Sequence, residues 1–246
     1  MLYVKKITLE GDLPADSYLH QLPVVRSLSE NPLTLEKPVT IFVGENGSGK
    51  STLIEAIAVA LGFNPEGGTR NFSFSTHNSH SPLHESLCVV RTAARMKDGF
   101  FLRAESFYNV ATHIEEMDRQ PAASRRIIES YGGVSLHNQS HGESFMALVE
   151  NRFSGNGLYI LDEPEAALSP MRLMRLLCRM HELVQMHSQF IISTHSPILM
   201  AFPDAYVLEI AESGIRRVSF CETEHWQTMK MFMDDPERMM HYLLEN

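Results

Sequence analysis

The chain has 246 residues, of which 43% are hydrophobic and 21% are charged. This composition is typical of a globular protein and excludes a wholly disordered chain, a collagen-like chain and a long coiled coil. Acidic residues outnumber basic ones by 30 to 21, and the formal net charge is −9. That balance argues against a protein that wraps nucleic acid through a broad positive surface, although it leaves room for a local basic patch.

The cysteines and the apolar runs indicate the cellular compartment of the protein. Cys88, Cys178 and Cys221 lie far apart and form no Cys-x-x-Cys pair, so we expect neither a disulfide framework nor a cysteine-ligated zinc site. The first residues lack the apolar core of a signal peptide, and no run of about 18 apolar residues would span a membrane. We therefore expect a cytoplasmic protein with reduced cysteines.

The hydrophobic pattern predicts alternating strands and helices, which indicates an α/β fold. Short strands broken by prolines are predicted over residues 1–38, followed by a continuous apolar run at 39–43 that is typical of a buried strand. Further elements predicted up to residue 131 are a helix at 51–61, a loop at 64–82 with one strand at 72–74, strands at 87–90 and 100–103, and helices at 104–117 and 122–131.

The same alternation continues in the second half. The predicted elements are a helix at 144–153, a buried strand at 158–161, an amphipathic helix at 171–187, a buried strand at 190–193 and a helical tail over roughly 222–246. Asp235 followed by Pro236 is typical of a helix start. No repeat or linker interrupts this order, so we expect a single domain over 1–246 with a helical subdomain at roughly 104–157.

A glycine-rich motif follows the apolar run at 39–43. Residues 44–51 read Gly-Glu-Asn-Gly-Ser-Gly-Lys-Ser and fit the pattern G-x-x-x-x-G-K-[ST] at every fixed position. Glycines let backbone N–H groups turn toward a phosphate, and the helix start adds partial positive charge. Lys50 is predicted to bind the β- and γ-phosphates and the Ser51 hydroxyl to bind Mg²⁺. The predicted nucleotide-binding residues of this loop are Glu45, Asn46, Gly47, Ser48, Gly49, Lys50, Ser51 and Thr52.

Two carboxylates and a histidine follow the later buried strands. Asp162 ends one strand and is predicted to hold Mg²⁺ directly or through water, while the adjacent Glu163 is predicted to polarise an attacking water. His195 follows the strand at 190–193 and is predicted to reach the γ-phosphate side of the site. Each feature alone is compatible with a solvated loop or a histidine in a turn, and the phosphate loop is what favours catalysis.

Together these segments resemble the ABC-type ATPase heads, particularly the compact stand-alone AAA-family ATPases related to SMC and DNA-repair heads. The resemblance rests on 44–51, on Tyr-Ile-Leu-Asp-Glu-Pro-Glu at 159–165 and on Ser-Thr-His-Ser-Pro at 193–197, and it covers roughly residues 1–210. It implies a P-loop NTPase fold of the ABC type. That fold has a mostly parallel central sheet with flanking helices, an N-terminal antiparallel β layer and a helical insert that carries a signature segment. It also implies ATP as the nucleotide and Mg²⁺ as the cofactor.

The resemblance assigns the signature segment to residues 139–143. The usual form is Leu-Ser-Gly-Gly-Gln, and this chain has Gln-Ser-His-Gly-Glu, so that Ser140 and Gly142 match whereas the other three positions depart. In the family this segment contacts the γ-phosphate bound by the opposite subunit. The resemblance therefore implies that Ser140, Gly142 and Glu143 bind nucleotide across an ATP-dependent homodimer. Without the resemblance, the segment is only a polar helix cap.

Two departures from the family bear on the work that ATP hydrolysis drives. The family's glutamine after the phosphate loop is missing, and Ser75, Thr76 or His77 are candidates to replace it. Ser169 stands where transporter ATPases place an aspartate. These departures favour an ATPase that drives a separate protein effector, of the nucleic-acid-processing or phage-defence type, over the energising subunit of a transporter bound to a membrane permease. A non-hydrolysing nucleotide sensor is a third hypothesis, which Glu163 disfavours.

Two weaker patterns remain. His77, His80 and His84 have a metal-like spacing, but no carboxylate or cysteine beyond Glu85 completes the set, and a loop is favoured over a metal site. Arg172, Arg175 and Arg179 recur at helical spacing, which favours a solvated helix face over contact with a partner or nucleic acid.

Overall fold

The computed structural model describes residues 1–11, 13–14, 16–70, 81–119 and 126–245. A six-stranded sheet has the strand order β5-β6-β7-β3-β8-β9. Its strands are β3 (Val39–Gly44), β5 (Asp98–Arg103), β6 (Gly157–Asp162), β7 (Gln189–Ser193), β8 (Tyr206–Ala211) and β9 (Gly214–Arg217). All neighbours pair in parallel except β9, which forms an antiparallel hairpin with β8. The mostly parallel central sheet predicted from the sequence is confirmed.

A second sheet contains the first strand of the chain. It has the order β2-β1-β4, and both pairs are antiparallel. Its strands are β1 (Val4–Leu9), β2 (Leu33–Thr34) and β4 (Leu87–Arg91). The predicted N-terminal antiparallel β layer is therefore present, and its third strand, β4, follows the phosphate loop in the sequence.

Helices cover both faces of the central sheet. The helices are α1 (Pro23–Glu30), α2 (Lys50–Ala60), α3 (Leu83–Ser86), α4 (Phe107–Arg119), α5 (His141–Asn151), α6 (Pro170–Gln185), α7 (Pro197–Met200), α8 (Glu224–Asp234) and α9 (Pro236–Leu244). Because side chains alternate along a strand, Ile41 and Val43 enter a core with α4 to α7. Phe42 faces the opposite way and packs in a second core with α1, α2 and the antiparallel sheet.

The regular elements near the site form for local reasons. β3 is buried along its whole length because it has parallel neighbours on both sides and a core on each face, which explains its unbroken apolar sequence. α6 begins with Pro170 at its first position and buries Leu173, Leu176, Met180 and Leu183 on one face. This stripe matches the amphipathic helix predicted at 171–187.

Several predicted elements need correction. The region 1–38 contains α1 as well as strands, because Pro23 opens a helix rather than breaking a strand. The described part of the helix predicted at 122–131 is a 3-10 helix, Ile127–Tyr131, which ends at Gly132 in the left-handed conformation. The helix predicted at 144–153 starts three residues earlier, at His141. The strand predicted at 72–74 lies outside the described residues.

The end of the chain forms a hairpin of two helices, α8 and α9. The helical tail predicted from residue 222 is present, and α9 begins with Pro236 at its first position after Asp235. Neither helix contributes a buried residue to the core. β8 and β9, which precede this tail, were not predicted. Within the described part of the chain, no helix combines the length and the apolar character needed to cross a membrane.

A buried polar network fixes the amino-terminal ends of β5 and β6. Asp98 pairs with Arg152 at 2.8 Å and accepts hydrogen bonds from the Tyr159 hydroxyl (2.8 Å) and the Ser154 amide (3.1 Å). Burial opposes the ionisation of Asp98, but Arg152, Tyr159 and Ser154 outweigh it and lower its pKa. Both strands carry site residues at their opposite ends, so this network helps to set their register.

We expect Tyr159→Phe to lower the free energy of unfolding by about 1–2 kcal/mol, because it removes the hydroxyl that Asp98 and Ser154 share. Urea unfolding measures the loss. Tyr108→Phe is the matched control, since this tyrosine is 66% exposed, and it should change stability by less than about 0.5 kcal/mol. Equal effects of the two substitutions would contradict the structural role of the network.

Candidate active site

The sheet order brings three loops to one edge. β7 lies between β3 and β6, and all three strands are parallel. Their carboxyl ends therefore meet, and ligands of open α/β sheets bind at this edge. Asp162 is the last residue of β6, Lys50 follows β3 at the start of α2, and His195 follows β7, so the three residues predicted to share one site lie at this edge.

The phosphate loop needs glycine where the backbone turns. Gly49 has φ of 94°, and a Cβ there would lie 2.5 Å from Val24 Cγ1 of α1. Only glycine adopts this left-handed backbone easily at such close approach. Gly49 is also the N-cap of α2 and offers no side chain to the first turn, so that the first amides of the helix stay available to an anion.

Lys50 is folded back onto its own loop. Its ammonium donates to the carbonyl oxygens of Gly44 and Glu45, each at 2.8 Å, and the residue is only 4% exposed. Burial lowers the pKa of Lys50, and the nearby carboxylates of Glu163, Asp162 and Glu165 oppose that shift. The lysine is therefore a buried cation held beside carboxylates by backbone carbonyls.

Asp162 is buried at the end of β6 among donors. The Ser193 hydroxyl donates to its Oδ1, the Ser51 hydroxyl bonds to it from the start of α2, and Arg103 Nε lies 3.4 Å from its Oδ2. Burial raises the pKa of Asp162 despite these partners. The carboxylate is thus desolvated and lies next to the hydroxyl with which it was predicted to share a metal ion.

Glu163 has a backbone conformation that is unusual for its residue type. Its φ and ψ are 48° and 53°, in the left-handed region, and its amide donates to the Ser193 carbonyl at 3.1 Å. Such conformations cost free energy and persist where the surrounding structure imposes them, often at functional sites. The turn leaves the Glu163 carboxylate partly exposed at the site, 3.6 Å from His195 Nε2.

His195 is enclosed by three groups. Its amide donates to Glu165, its Nδ1 lies 2.8 Å from His225 Nε2, and its Nε2 faces Glu163. Burial, with smaller contributions from Lys50 and His225, lowers the pKa of His195 to about 4. The ring is therefore neutral near pH 7.

The signature residues lie at the start of α5 and not among the residues above. Ser140 caps the helix, and Glu143 Oε2 accepts from the Ser140 amide (2.9 Å) and hydroxyl (2.6 Å). These hydrogen bonds, aided by Arg172, lower the pKa of Glu143. Gly142 permits close packing, because a Cβ there would lie 2.9 Å from the Ala167 carbonyl. Among the described contacts, none joins Ser140 to the phosphate loop of the same chain.

The predicted loop residues Glu45, Asn46, Gly47 and Ser48 line a cleft of about 530 Å³. Other residues that line this cleft come from β8 and β9 and from the tail, including Glu224 and Gln227. Thr52 lies in the first turn of α2. The candidates Ser75, Thr76 and His77 lie outside the described residues.

Sequence reasoning missed four residues of this site. Arg103 ends β5 directly beside Asp162, and Ser193 bridges β7 to Asp162. Glu165 holds the His195 backbone, and His225 reaches the same ring from the tail. Ser193 and Glu165 lie within the recognised motifs, whereas Arg103 and His225 have no local signal and depend on strand order and tail placement.

The structure also bears on the two weaker sequence patterns, the arginines of α6 and the histidine spacing at 77–84. The arginine face of α6 is not simply solvated, because Arg172 pairs with Glu143, Arg175 with Glu150, and Arg179 with Glu182 and the Phe153 carbonyl. In the described ranges, no group of three or more His, Cys, Asp or Glu side chains is arranged to hold a metal ion. His77 and His80 fall outside those ranges.

Arg103 links two buried carboxylates, since its Nη1 lies 2.5 Å from Glu55 Oε2 and its Nε faces Asp162. We expect Arg103→Met to lower the free energy of unfolding by about 3 kcal/mol at pH 8, because both carboxylates lose their cation. The loss should be smaller at pH 5. A carboxyl whose folded pKa is raised, as at Asp162, destabilises the fold above that pKa, and protonation at lower pH relieves the cost.

Urea unfolding at the two pH values checks this expectation. Arg95→Met is the matched control, because Arg95 is exposed and makes no ion pair with any residue that the structure describes. It should change stability by less than about 0.5 kcal/mol at either pH. An equal loss for Arg103→Met at pH 5 and pH 8 would contradict the role assigned to Asp162.

Two sequence families match parts of the chain. A family described as "AAA domain" matches residues 24–130, which include the phosphate loop. A family described as "AAA domain, putative AbiEii toxin, Type IV TA system" matches residues 145–201, which include Asp162, Glu163 and His195.

Solved structures are similar in fold. MJ1267, an ATP-binding cassette of an ABC transporter, is 14% identical with a TM-score of 0.52, over 98% of this chain and 99% of that one. The cbiO1 protein of Clostridium perfringens, part of the ABC transporter complex cbiONQ, is 16% identical with a TM-score of 0.51, over 100% of both chains. The SMC head domain of Thermotoga maritima is 19% identical with a TM-score of 0.47, over 89% of this chain and 99% of that one.

The loops at the carboxyl edge, the two family matches and the similar folds agree with one another. The chain therefore has the fold of an ABC-type ATPase head. The two segments that contain the candidate site residues match AAA-domain families.

Proposed function

We propose that this protein binds ATP and hydrolyses it with Mg²⁺, and that two copies enclose two nucleotides. The observation that carries the proposal is the meeting of Lys50, Asp162 and Glu163 at one edge of the sheet. A buried lysine, a buried carboxylate next to a hydroxyl and a second, partly exposed carboxylate are the groups that phosphoryl transfer to water requires.

The phosphate loop fits a polyphosphate. Ser48 Oγ is buried and has no hydrogen-bond partner among the described residues, and the amides of the first turn of α2 have no side-chain cap. An anion in the loop would accept hydrogen bonds from these donors. Lys50 would exchange the carbonyls of Gly44 and Glu45 for phosphate oxygens, which attract the ammonium more strongly because they are charged.

Ser51 and Asp162 fit Mg²⁺. A hydroxyl and a carboxylate in contact are hard oxygen ligands, and Mg²⁺ in nucleotide sites needs few protein ligands because water and phosphate oxygens complete its shell. When bound, the ion neutralises charge on the phosphates. The buried Asp162 carboxylate, whose pKa is raised, is suited to a cation that favours its ionised form.

Glu163 and His195 would act on the γ-phosphate side. The left-handed turn holds the Glu163 carboxylate at the site, where it orients and polarises a water molecule. His195 is neutral near pH 7 and lies 3.6 Å from that carboxylate, so it can donate to a phosphate oxygen or to the attacking water. No further general base is required.

We assign Ser140, Gly142 and Glu143 to the nucleotide of the opposite subunit. Their separation from the phosphate loop supports a site completed by a second copy of the chain. In that site the Ser140 hydroxyl, now bonded to Glu143, would turn to the partner's γ-phosphate, and the first turn of α5 would face it.

We expect Lys50→Ala to weaken ATP binding by at least about 100-fold, because two charge-assisted hydrogen bonds to phosphate are lost. Titration calorimetry with ATP and Mg²⁺ measures the change. Lys97→Ala is the matched control, since Lys97 is exposed, and its affinity should equal that of the unmodified protein. Unchanged affinity of Lys50→Ala would sink the phosphate assignment.

We expect Glu163→Gln to bind ATP normally, to lose at least about 100-fold in hydrolysis rate and to accumulate as an ATP-bound dimer. Size-exclusion chromatography with light scattering, at saturating ATP and Mg²⁺, reports the dimer. Glu182→Gln on α6 is the control and should behave as the unmodified protein. Adding Ser140→Arg to Glu163→Gln should return it to a monomer; if Glu163→Gln alone stays monomeric, the dimer proposal is wrong.

We propose that the dimer drives or regulates a separate protein effector, with nucleic acid as a further candidate partner. The toxin–antitoxin description of one matching family and the departures at Ser169 and at the signature support this role. The alternative is the energising subunit of a membrane transporter, which the folds of MJ1267 and cbiO1 favour. Purification of Glu163→Gln from the organism that naturally produces the protein, with identification of the molecules that co-purify, decides between them. A stoichiometric permease would establish the alternative, and a soluble protein or DNA would support the proposal.

A further inference from the structure

The ring of His195 is contacted from two sides by groups that constrain its proton. Its Nδ1 lies 2.8 Å from His225 Nε2 of α8, and the two ring centroids are 4.9 Å apart. Its Nε2 is buried, 3.6 Å from Glu163 Oε1, and makes no hydrogen bond with any described residue. The charged groups that face the ring are Lys50, Glu163 and, at its backbone, Glu165.

These contacts select one tautomer. A neutral imidazole has one donor nitrogen and one acceptor nitrogen, so that the His195–His225 hydrogen bond holds a single proton. If His195 donated through Nδ1, its Nε2 lone pair would face the Glu163 carboxylate, and two acceptors would repel each other. If His225 donates instead, His195 carries its proton on Nε2 and directs it toward Glu163 and the γ-phosphate side. The second arrangement satisfies both contacts.

His225 is fixed in place by the start of the tail. Thr223 is fully buried, its hydroxyl donates to the Phe220 carbonyl at 2.6 Å, and it caps α8 by accepting from the Trp226 amide at 3.4 Å. The Trp226 ring packs edge-on against Phe220. His225 lies in this anchored first turn, whereas the rest of α8 and α9 buries no residue. The anchoring is therefore concentrated where the histidine contact is made.

We propose that His225 of the carboxyl-terminal helix is a positioning residue that holds His195 in its Nε2–H tautomer, so that His195 donates to the phosphate or water at the site. The proposal rests on the ATPase function proposed above. It gives the tail a defined task, since displacement of α8 would free the His195 ring and slow hydrolysis while the phosphate loop stays intact.

The tautomer is measured directly on the chain without nucleotide. Long-range ¹H–¹⁵N spectra of the imidazoles distinguish Nε2–H from Nδ1–H, and His195→Gln identifies the His195 signals by their loss. We expect the Nε2–H pattern in the unmodified protein and a mixture of tautomers in His225→Phe. An Nδ1–H pattern in the unmodified protein overturns the proposal, whether or not the protein hydrolyses ATP.

Kinetics test the consequence. His225→Phe keeps an aromatic ring but no donor, and we expect kcat to fall by about 10- to 100-fold, the range seen when a residue that orients a metal-bound histidine is removed. The KM for ATP should stay within about twofold, because the phosphate loop is untouched. His225→Gln, whose amide donates in place of the ring, should recover most of kcat. His241→Phe, at an exposed position of the same hairpin, is the control and should keep the unmodified rate.

Two results separate this proposal from the proposed function. If the unmodified protein hydrolyses ATP and His225→Phe keeps its kcat, then His225 is not a positioning residue and the ATPase proposal stands. If the unmodified protein binds ATP without hydrolysing it, the ATPase proposal fails and the tautomer spectra decide the role of His225. A loss of kcat in His225→Phe that persists unchanged in the His195→Gln background also overturns the proposal, because His225 would then act through another group.

Discussion

The parallel pairing of β7 with both β3 and β6 is the constraint on which the site depends. It places the ends of three strands side by side, so that Ser193 can bond to Asp162 and the Glu163 amide can bond to the Ser193 carbonyl. These bonds hold the buried Asp162 and the partly exposed Glu163 next to Lys50. The apolar side chains on both faces of the sheet maintain the pairing, and the Asp98 network fixes the amino-terminal ends of the neighbouring strands β5 and β6.

Lys50, Arg103 and Asp162 form a cluster of opposite charges at the site. The Lys50 ammonium donates to two backbone carbonyls and lies near carboxylates. Asp162 is buried between hydroxyls and Arg103. Burial lowers the pKa of Lys50 and raises the pKa of Asp162, and so favours the neutral form of each. A magnesium–nucleotide complex brings both signs of charge and would satisfy both groups at once. We therefore propose that the site is electrostatically suited to that complex, whose contacts would replace the hydration lost on burial.

The tail changes how the site is understood. A motif-based description ends with His195, but the structure continues through His225 into a hairpin whose remaining surface is exposed. An element that is anchored at its first turn and exposes the rest of its surface is displaced more easily than a core helix. The same hairpin lines the cleft beside the phosphate loop through Glu224 and Gln227. Displacement of the tail would therefore reach His195, to which we assign a role in hydrolysis.

The phosphate loop, the acidic strand end, the parallel α/β class and most helices were predictable from the residues alone, because each has a local pattern in glycine spacing or hydrophobic period. Helix α1 was missed, because Pro23 begins a helix where it was expected to interrupt a strand. The strands β8 and β9 were also missed. The positions of Arg103 and His225 at the site depend on tertiary contacts and could not be predicted. Arg103 functions through the strand that happens to lie beside β6, and His225 through a helix that returns to the site after 30 residues. Neither neighbour relation is encoded in a local motif, since strand order and tail placement emerge only when the whole chain packs.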